Sequence, residues 1–355
     1  MAPRYYDIAV NLTDSMFMGS FETGSKARPE WYRILDRAAY FNVEKVMITG
    51  SSLEESRKAI QMAVEYEGPV KLYTTVGVHP CTVNEFENDP EGHIEQLRLT
   101  IKHGVDSGVL RAIGEIGLDY DRFQHTIKSV QLKYFELQLK LACEFDLPLF
   151  LHMRSACDDF IDTIEPFIKG TRPDGLRLKN PRGVVHSFTG EWEEAQRLIQ
   201  LGFHLGVNGC SLRTSDSMEV VRKIPLEKIM IETDAPWCEV RKTHSSFGLL
   251  SEPPNEFYPR TTGLVQQIPQ TKKQKVVKLD AFLKVPLVSK MKDLAISPQV
   301  ATAIGETEWE FGAVVKGRNE PCFVGQIAEA IAKLKGIPSE RVIETVYETS
   351  CKMFA

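Results

Sequence analysis

The sequence predicts an α/β protein, an eightfold parallel β/α barrel of the TIM type with an insertion after the eighth strand. Eight short, apolar and β-branched runs alternate with amphipathic helical stretches, which is the pattern of a parallel sheet with crossover helices. Runs such as residues 46–48 are apolar on both faces, as strands covered on each side must be. A length of 355 residues suits one large barrel, so we expect a single domain over residues 1–355.

The predicted strands follow one another along the chain at residues 7–10, 45–48, 71–76, 110–114, 147–151, 183–185, 203–207 and 228–231. Apolar residues three or four apart predict a helix over residues 129–145. The same spacing predicts a second helix over residues 191–201, with Gly202 as its C-terminal cap. Residues 322–353 return to helical periodicity and should close the outer ring of the barrel.

The alternation breaks after the eighth strand, and residues 245–303 are predicted to be an insertion. Clustered prolines at Pro253 and Pro254 and a basic run at residues 272–275 mark this segment. Loops of this length are uncommon inside compact domains, so the segment is either functional, partly folded by itself or a solvated excursion. The basic run is compatible with a nuclear address or with a solvated face.

Composition excludes some classes of protein. With 43% hydrophobic and 26% charged residues the chain is not disordered, and a net charge of −5 argues against coating nucleic acid by bulk electrostatics. Seven cysteines without a C-x-x-C pair predict free thiols in a reducing compartment. The N-terminus lacks an apolar signal region, so we expect an intracellular protein, cytoplasmic or nuclear, with no membrane contact and no stable protein partner.

Polar side chains with metal-ligand chemistry follow five of the predicted strands. They are His79, Glu115, His152, His186 and Asp234. One such histidine is more often structural, but the strand ends of a barrel converge on one mouth, where five side chains would share a cavity. Glu115, His152, His186 and Asp234 together suit zinc, manganese or a similar divalent ion, and magnesium becomes less natural as histidines accumulate.

These stretches resemble the TatD-type deoxyribonucleases of the metal-dependent hydrolase superfamily. The resemblance rests on the order and spacing of DIAVNLTD at 7–14, GVHP at 77–80, GEIGLDY at 114–120, HSFTG at 186–190, ETDAP at 232–236 and RNEP at 318–321. It covers nearly everything except the insertion. It implies hydrolysis of DNA phosphodiester bonds, often from the 3′ end, and a role in DNA repair or DNA degradation.

The resemblance also implies roles for individual residues. Glu115 would bridge two metal positions, His152 and His186 would complete one of them, and Asp234 would belong to the other. One or two divalent ions per chain, magnesium, manganese or zinc, are therefore expected. His79 would contact the substrate phosphate.

The first strand departs from the bacterial pattern. Bacterial members usually have a His-x-His pair where this chain has Ala9, Val10 and Asn11. Eukaryotic-type members resemble this chain in having Asn-Leu-Thr-Asp there. We expect Asn11 near the metals, where its amide oxygen is a poorer ligand than imidazole for zinc-like ions. The second ion should then bind weakly or arrive with substrate phosphate.

The mechanism predicted from these residues is attack on phosphorus by a metal-activated water, with Glu115 and Asp234 catalytic and Asp234 the general base. Arg154 is expected to hold a phosphate, with a structural ion pair as the alternative. The same residues are compatible with an amidohydrolase acting on a small cyclic amide or ester, because fold and metal site do not dictate substrate. A non-enzymatic binding protein on a decayed barrel is the third possibility.

Overall fold

The computed structural model describes residues 2–18, 31–259, 278–279, 286–288 and 314–355. Eight strands form one parallel sheet in the order β1 to β8. They are β1 Tyr5–Val10, β2 Val43–Ile48, β3 Lys71–Val76, β4 Leu110–Asp119, β5 Leu149–Arg154, β6 Gly183–Val185, β7 His204–Val207 and β8 Ile229–Ile231. Val10 bridges Ala235 in parallel just beyond β8, so the sheet closes and the predicted TIM-type barrel is confirmed.

Helices cover the outside of this barrel. They are α1 Ser15–Met18, α2 Trp31–Tyr40, α3 Leu53–Glu65, α4 Pro90–Asp106, α5 Lys128–Ala142, α6 Cys157–Lys169, α7 Trp192–Gln200, α8 Ser215–Lys223, α9 Val324–Lys335 and α10 Ser339–Met353. Short 3₁₀ helices lie at Val83–Phe86, Leu226–Lys228, Ser245–Leu249 and Pro321–Phe323. The helices predicted at 129–145 and 191–201 correspond to α5 and α7, and Gly202 has a φ of 102° just beyond α7.

Two elements differ from their predicted bounds in ways that matter for the site. The sequence predicts that β4 ends at residue 114, but the strand continues to Asp119, and β5 continues to Arg154, because Gly117 pairs with His152 and Asp119 with Arg154. Glu115 and His152 therefore lie within paired strands.

The helical stretch predicted at 322–353 is two helices, because Gly336, with a φ of 63°, caps α9.

Buried apolar side chains form two clusters. One lies inside the barrel and includes Ile8, Met47, Phe150 and Met230, and Phe354 beyond α10 packs onto it. A larger cluster lies between the strands and the surrounding helices. Burial on both faces explains why the strands are apolar runs instead of alternating ones.

The predicted insertion at 245–303 is described in part. Residues 245–259 pack on the barrel, where Tyr5 Oη donates to the carbonyl oxygen of Phe257 at 3.0 Å and Tyr258 is fully buried. Strands β9 Lys278–Leu279, β10 Pro286–Val288 and β11 Val314–Val315 form a small separate sheet. The basic run at 272–275 lies outside the described residues. No helix among the described residues is long and apolar enough to cross a membrane.

Candidate active site at the barrel mouth

A cavity of about 990 Å³ opens at the carboxyl ends of the barrel strands. All seven site residues predicted from the sequence line it, namely Asn11, His79, Glu115, His152, Arg154, His186 and Asp234. This is the end of a β/α barrel where catalytic residues are found. The register of the barrel therefore brings together side chains that lie more than 200 residues apart in the chain.

Glu115 is placed by a close approach of two strands. Gly114 before it has a φ of +154°, and a Cβ atom there would lie 2.0 Å from the carbonyl oxygen of Phe150, so only glycine fits. The Glu115 backbone N–H donates to the carbonyl oxygen of Gly50 at 2.9 Å. The carboxylate is thereby held at the centre of the mouth, with 5% of the residue exposed.

The Glu115 carboxylate contacts both histidines predicted to share a metal with it. Its Oε1 atom lies 2.6 Å from His186 Nε2 and 2.8 Å from His152 Nδ1. Burial opposes the charged carboxylate, but the charges and hydrogen bonds of the histidines hold the pKa of Glu115 well below its usual range.

Each of these histidines has a second carboxylate behind it. Asp119 Oδ2 lies 3.1 Å from His152 Nε2, and Glu232 Oε1 lies 3.5 Å from His186 Nδ1. Burial alone would lower the pKa of both histidines, but the surrounding carboxylates raise the pKa of His152 and hold that of His186 well above its ordinary value. A carboxylate on the far ring nitrogen fixes the tautomer that leaves the other nitrogen free to bind a metal.

The donor set fits a divalent metal ion. Among the described residues, two groups of three donors have ligand atoms within 4.8 Å of one another: His79 with Glu115 and His152, and His79 with Cys81 and Asp119. Imidazole nitrogens beside a buried carboxylate are the ligands that zinc and manganese accept. The chain thus has residues that suit a divalent ion at Glu115 and His152, and His186 Nε2 is directed at the same carboxylate oxygen.

His79 differs from the other two histidines because its protonation pattern is fixed by the backbone. The Cys81 N–H donates to His79 Nδ1 at 3.0 Å, so the neutral ring carries its proton on Nε2. That Nε2 lies 3.4 Å from Glu115 Oε1. Burial lowers the pKa of His79 to about 4, which keeps the ring neutral. In this protonation state Nε2 donates a hydrogen bond, so of the group that contains His79, Glu115 and His152 it is Glu115 and His152 that offer ligand atoms to a metal.

Asp234 follows β8 in a backbone conformation that side chains rarely adopt, with a φ of 52°. Its N–H donates to the carbonyl oxygen of Ala9 at 2.9 Å, while Asn11 Nδ2 donates to its Oδ1 at 2.9 Å. The Cys238 thiol donates to Oδ2 at 3.3 Å. Burial raises the pKa of Asp234 to about 6. Ala9 is fully buried, so Asn11 is the member of the altered pair that lines the cavity.

Arg154 lies at the rim of the cavity with 42% of its side chain exposed, and its Nε donates to Asp121 Oδ2 at 3.0 Å. The ion pair considered from the sequence is therefore present. Exposed pairs of this kind hold a side chain weakly. The guanidinium nevertheless lines the same cavity as Glu115.

Sequence reasoning missed three residues that position the site. Asp119 and Glu232 stand behind the histidines, and Asn319 Nδ2 donates to the carbonyl oxygens of Thr233 and Trp237, on either side of Asp234. All three lie inside the motifs GEIGLDY, ETDAP and RNEP. Their position in those motifs was the available signal, but their partners lie on or just after other strands, far away along the chain.

A closed β/α barrel with imidazole and carboxylate groups gathered at the carboxyl ends of its strands defines a barrel enzyme with a site suited to a divalent metal ion. The family model described as "TatD related DNase" matches residues 6–355. The chain belongs to this family, as the resemblance of its motifs predicted.

The following relatives cover between 65% and 99% of this chain. A protein of Schizosaccharomyces pombe named "Deoxyribonuclease Tat-D" is 37% identical over 99% of this chain and 96% of its own length. A protein of Yersinia pseudotuberculosis named "3'-5' ssDNA/RNA exonuclease TatD" is 33% identical over 65% of this chain and 79% of its own. The crystal structure of an uncharacterised amidohydrolase from Saccharomyces cerevisiae has 35% identity and a TM-score of 0.77, covering 99% of this chain and 100% of that one.

Proposed function

We propose that this protein is a metal-dependent deoxyribonuclease that removes nucleotides from the 3′ end of DNA. The observation that carries the proposal is the convergence of the His152 and His186 imidazoles on one oxygen of buried Glu115 in a large cavity. The names of the relatives, two of which specify a deoxyribonuclease or a 3′-5′ exonuclease, favour DNA over the small cyclic amide or ester considered as the alternative. A role in intracellular DNA degradation or repair is the corresponding biological proposal.

Glu115, His152 and His186 would hold a divalent ion, and Asp234 would complete a second, weaker position. When bound, such an ion supplies Lewis-acid polarisation of a phosphoryl oxygen and lowers the pKa of a water molecule. Asp119 holds His152 in orientation through Nε2, and Glu232 lies behind His186. These buried carboxylates keep the ligand atoms in place before the substrate arrives.

The remaining residues bind substrate and move protons. Asp234 lines the cavity, with Oδ1 accepting from Asn11 and Oδ2 from the Cys238 thiol, and its carboxylate would take the proton from the attacking water. His79, with its proton on Nε2, would donate a hydrogen bond to a phosphate oxygen near Glu115. Arg154 at the rim would bind a phosphate of the same DNA strand, and its exposed ion pair with Asp121 would break when it does so.

The test is hydrolysis of a single-stranded DNA labelled at its 3′ end, compared with the same strand labelled at its 5′ end. We expect the 3′ label to be released first as mononucleotide, loss of activity in chelator, and recovery on adding Mg²⁺ or Mn²⁺. Full activity in chelator would refute the metal mechanism. Release of the 5′ label first, or internal cleavage, would refute the polarity. Hydrolysis of a cyclic amide in the absence of any DNA cleavage would favour the alternative.

A further inference from the structure

Two cysteine thiols meet at the wall of the cavity beside Asp234. Cys210 lies in the loop after β7 and Cys238 in the loop after β8, and their Sγ atoms are 3.0 Å apart. Both side chains are partly exposed and both line the cavity. Neither thiol is a metal ligand or a substrate contact in the proposed hydrolysis of DNA.

The backbone keeps these thiols together. A Cβ atom on Gly209 would lie 2.1 Å from the carbonyl oxygen of Cys238, so the two loops are in direct backbone contact. The Cys210 N–H donates to Asn208 Oδ1 at 2.9 Å, and Asn208 Nδ2 in turn donates to Glu232 Oε1 at 3.0 Å. The proximity of the two cysteines therefore rests on backbone contact between their loops, the first of which is anchored through Asn208.

The two thiols form a hydrogen-bond chain that ends on Asp234. The Cys210 S–H donates to Cys238 Sγ, and the Cys238 S–H donates to Asp234 Oδ2 at 3.3 Å. A disulfide requires the sulfur atoms to approach by only about 1 Å more, to roughly 2.05 Å. We infer that Cys210 and Cys238 are a redox-active dithiol whose oxidation by a peroxide forms a disulfide and switches the adjacent site off.

The chemistry balances with hydrogen peroxide as the two-electron oxidant. One thiol sulfur attacks peroxide and becomes a sulfenic acid, releasing one water. The other thiol displaces the sulfenic hydroxyl, which leaves as a second water, and the sulfur–sulfur bond forms. Each cysteine has lost one hydrogen and the peroxide has been reduced to two waters. A small dithiol reverses the reaction by exchange.

Oxidation changes the surroundings of Asp234 directly. The bridged Cys238 has no S–H, so Asp234 Oδ2 loses that donor while Oδ1 keeps Asn11. The bridge also ties the loop that carries Asp234 to the loop after β7. Loss of a hydrogen bond to a charged group corresponds to a fall in turnover of about tenfold or more. This consequence rests on the proposed function, whereas formation of the bridge does not.

The experiment treats the full chain with hydrogen peroxide, blocks the remaining thiols and maps the linked peptides by mass spectrometry. We expect a Cys210–Cys238 linkage, two fewer free thiols of the seven, and their return with dithiothreitol. The variant Cys210→Ser should form no bridge, while Cys351→Ser, which removes a partly exposed thiol that contacts Lys45, should form it as the natural chain does. DNA hydrolysis by the natural chain should fall as the disulfide forms and recover on reduction. The Cys210→Ser variant should keep its DNA hydrolysis after peroxide treatment.

Absence of the bridge at peroxide doses that oxidise Cys351 would overturn the inference. A bridge that forms without changing DNA hydrolysis would overturn the switch. Because mapping needs no substrate, a chain that bridges but never hydrolyses DNA would refute the proposed function and leave the dithiol standing. A chain that hydrolyses DNA but forms no disulfide would support the proposed function and refute the dithiol.

Discussion

Replacing Asp119 by asparagine tests whether the carboxylate behind His152 prepares the metal site. Asp119 is 2% exposed, and its Oδ2 lies 3.1 Å from His152 Nε2. The substitution keeps the size of the side chain but removes its charge, so His152 loses the partner that fixes its tautomer with Nδ1 facing Glu115. Loss of such a partner typically weakens metal binding by about 10–100-fold, which corresponds to roughly 1.4–2.7 kcal/mol.

The assay is calorimetric titration of the chelator-treated protein with Mn²⁺, with the unfolding temperature of each variant measured alongside. Asp121→Asn is the matched control, because Asp121 is two residues away, half exposed and paired with Arg154. It should change Mn²⁺ affinity by no more than about twofold. Asp119→Glu, which keeps the charge, should recover part of the loss. If Asp119→Asn bound Mn²⁺ as tightly as the natural chain, the orienting role of this carboxylate would be refuted.

Three further predictions concern the active site, a buried ion pair and a buried histidine. Glu115→Ala and Asp234→Ala should each remove nearly all DNA hydrolysis with an unchanged circular dichroism spectrum, and normal turnover in either would contradict its role. Glu320→Gln should lower the free energy of urea unfolding by about 3 kcal/mol, because Arg37, whose Nε lies 2.7 Å from Glu320 Oε2, is fully buried; an unchanged midpoint would refute this. Burial lowers the pKa of His204 to about 4, so unfolded chains bind its proton first and stability falls as pH drops from 6.5 towards 4. His204→Gln should flatten that part of the stability profile, and an identical slope would contradict the argument.

The positions of the strands were predictable because the signal is local. Each barrel strand is buried on both faces, so residues such as Val46, Met47 and Ile48 must all be apolar, and the run is visible without knowing its neighbours. The extra length of β4 and β5 was not predictable. Gly117 and Asp119 extend β4 only because His152 and Arg154 are available as partners on the next strand.

The family, the barrel and the kinds of side chain that follow its strands were predictable from sequence alone, because these depend on short runs and on the order of motifs. Which side-chain atoms come into contact depends on the folded chain. Asp119 faces His152, Glu232 lies behind His186, and Cys210 contacts Cys238 because barrel register and loop conformation place them there. Contacts between strands depend on closure of the whole sheet, a property that no local pattern contains.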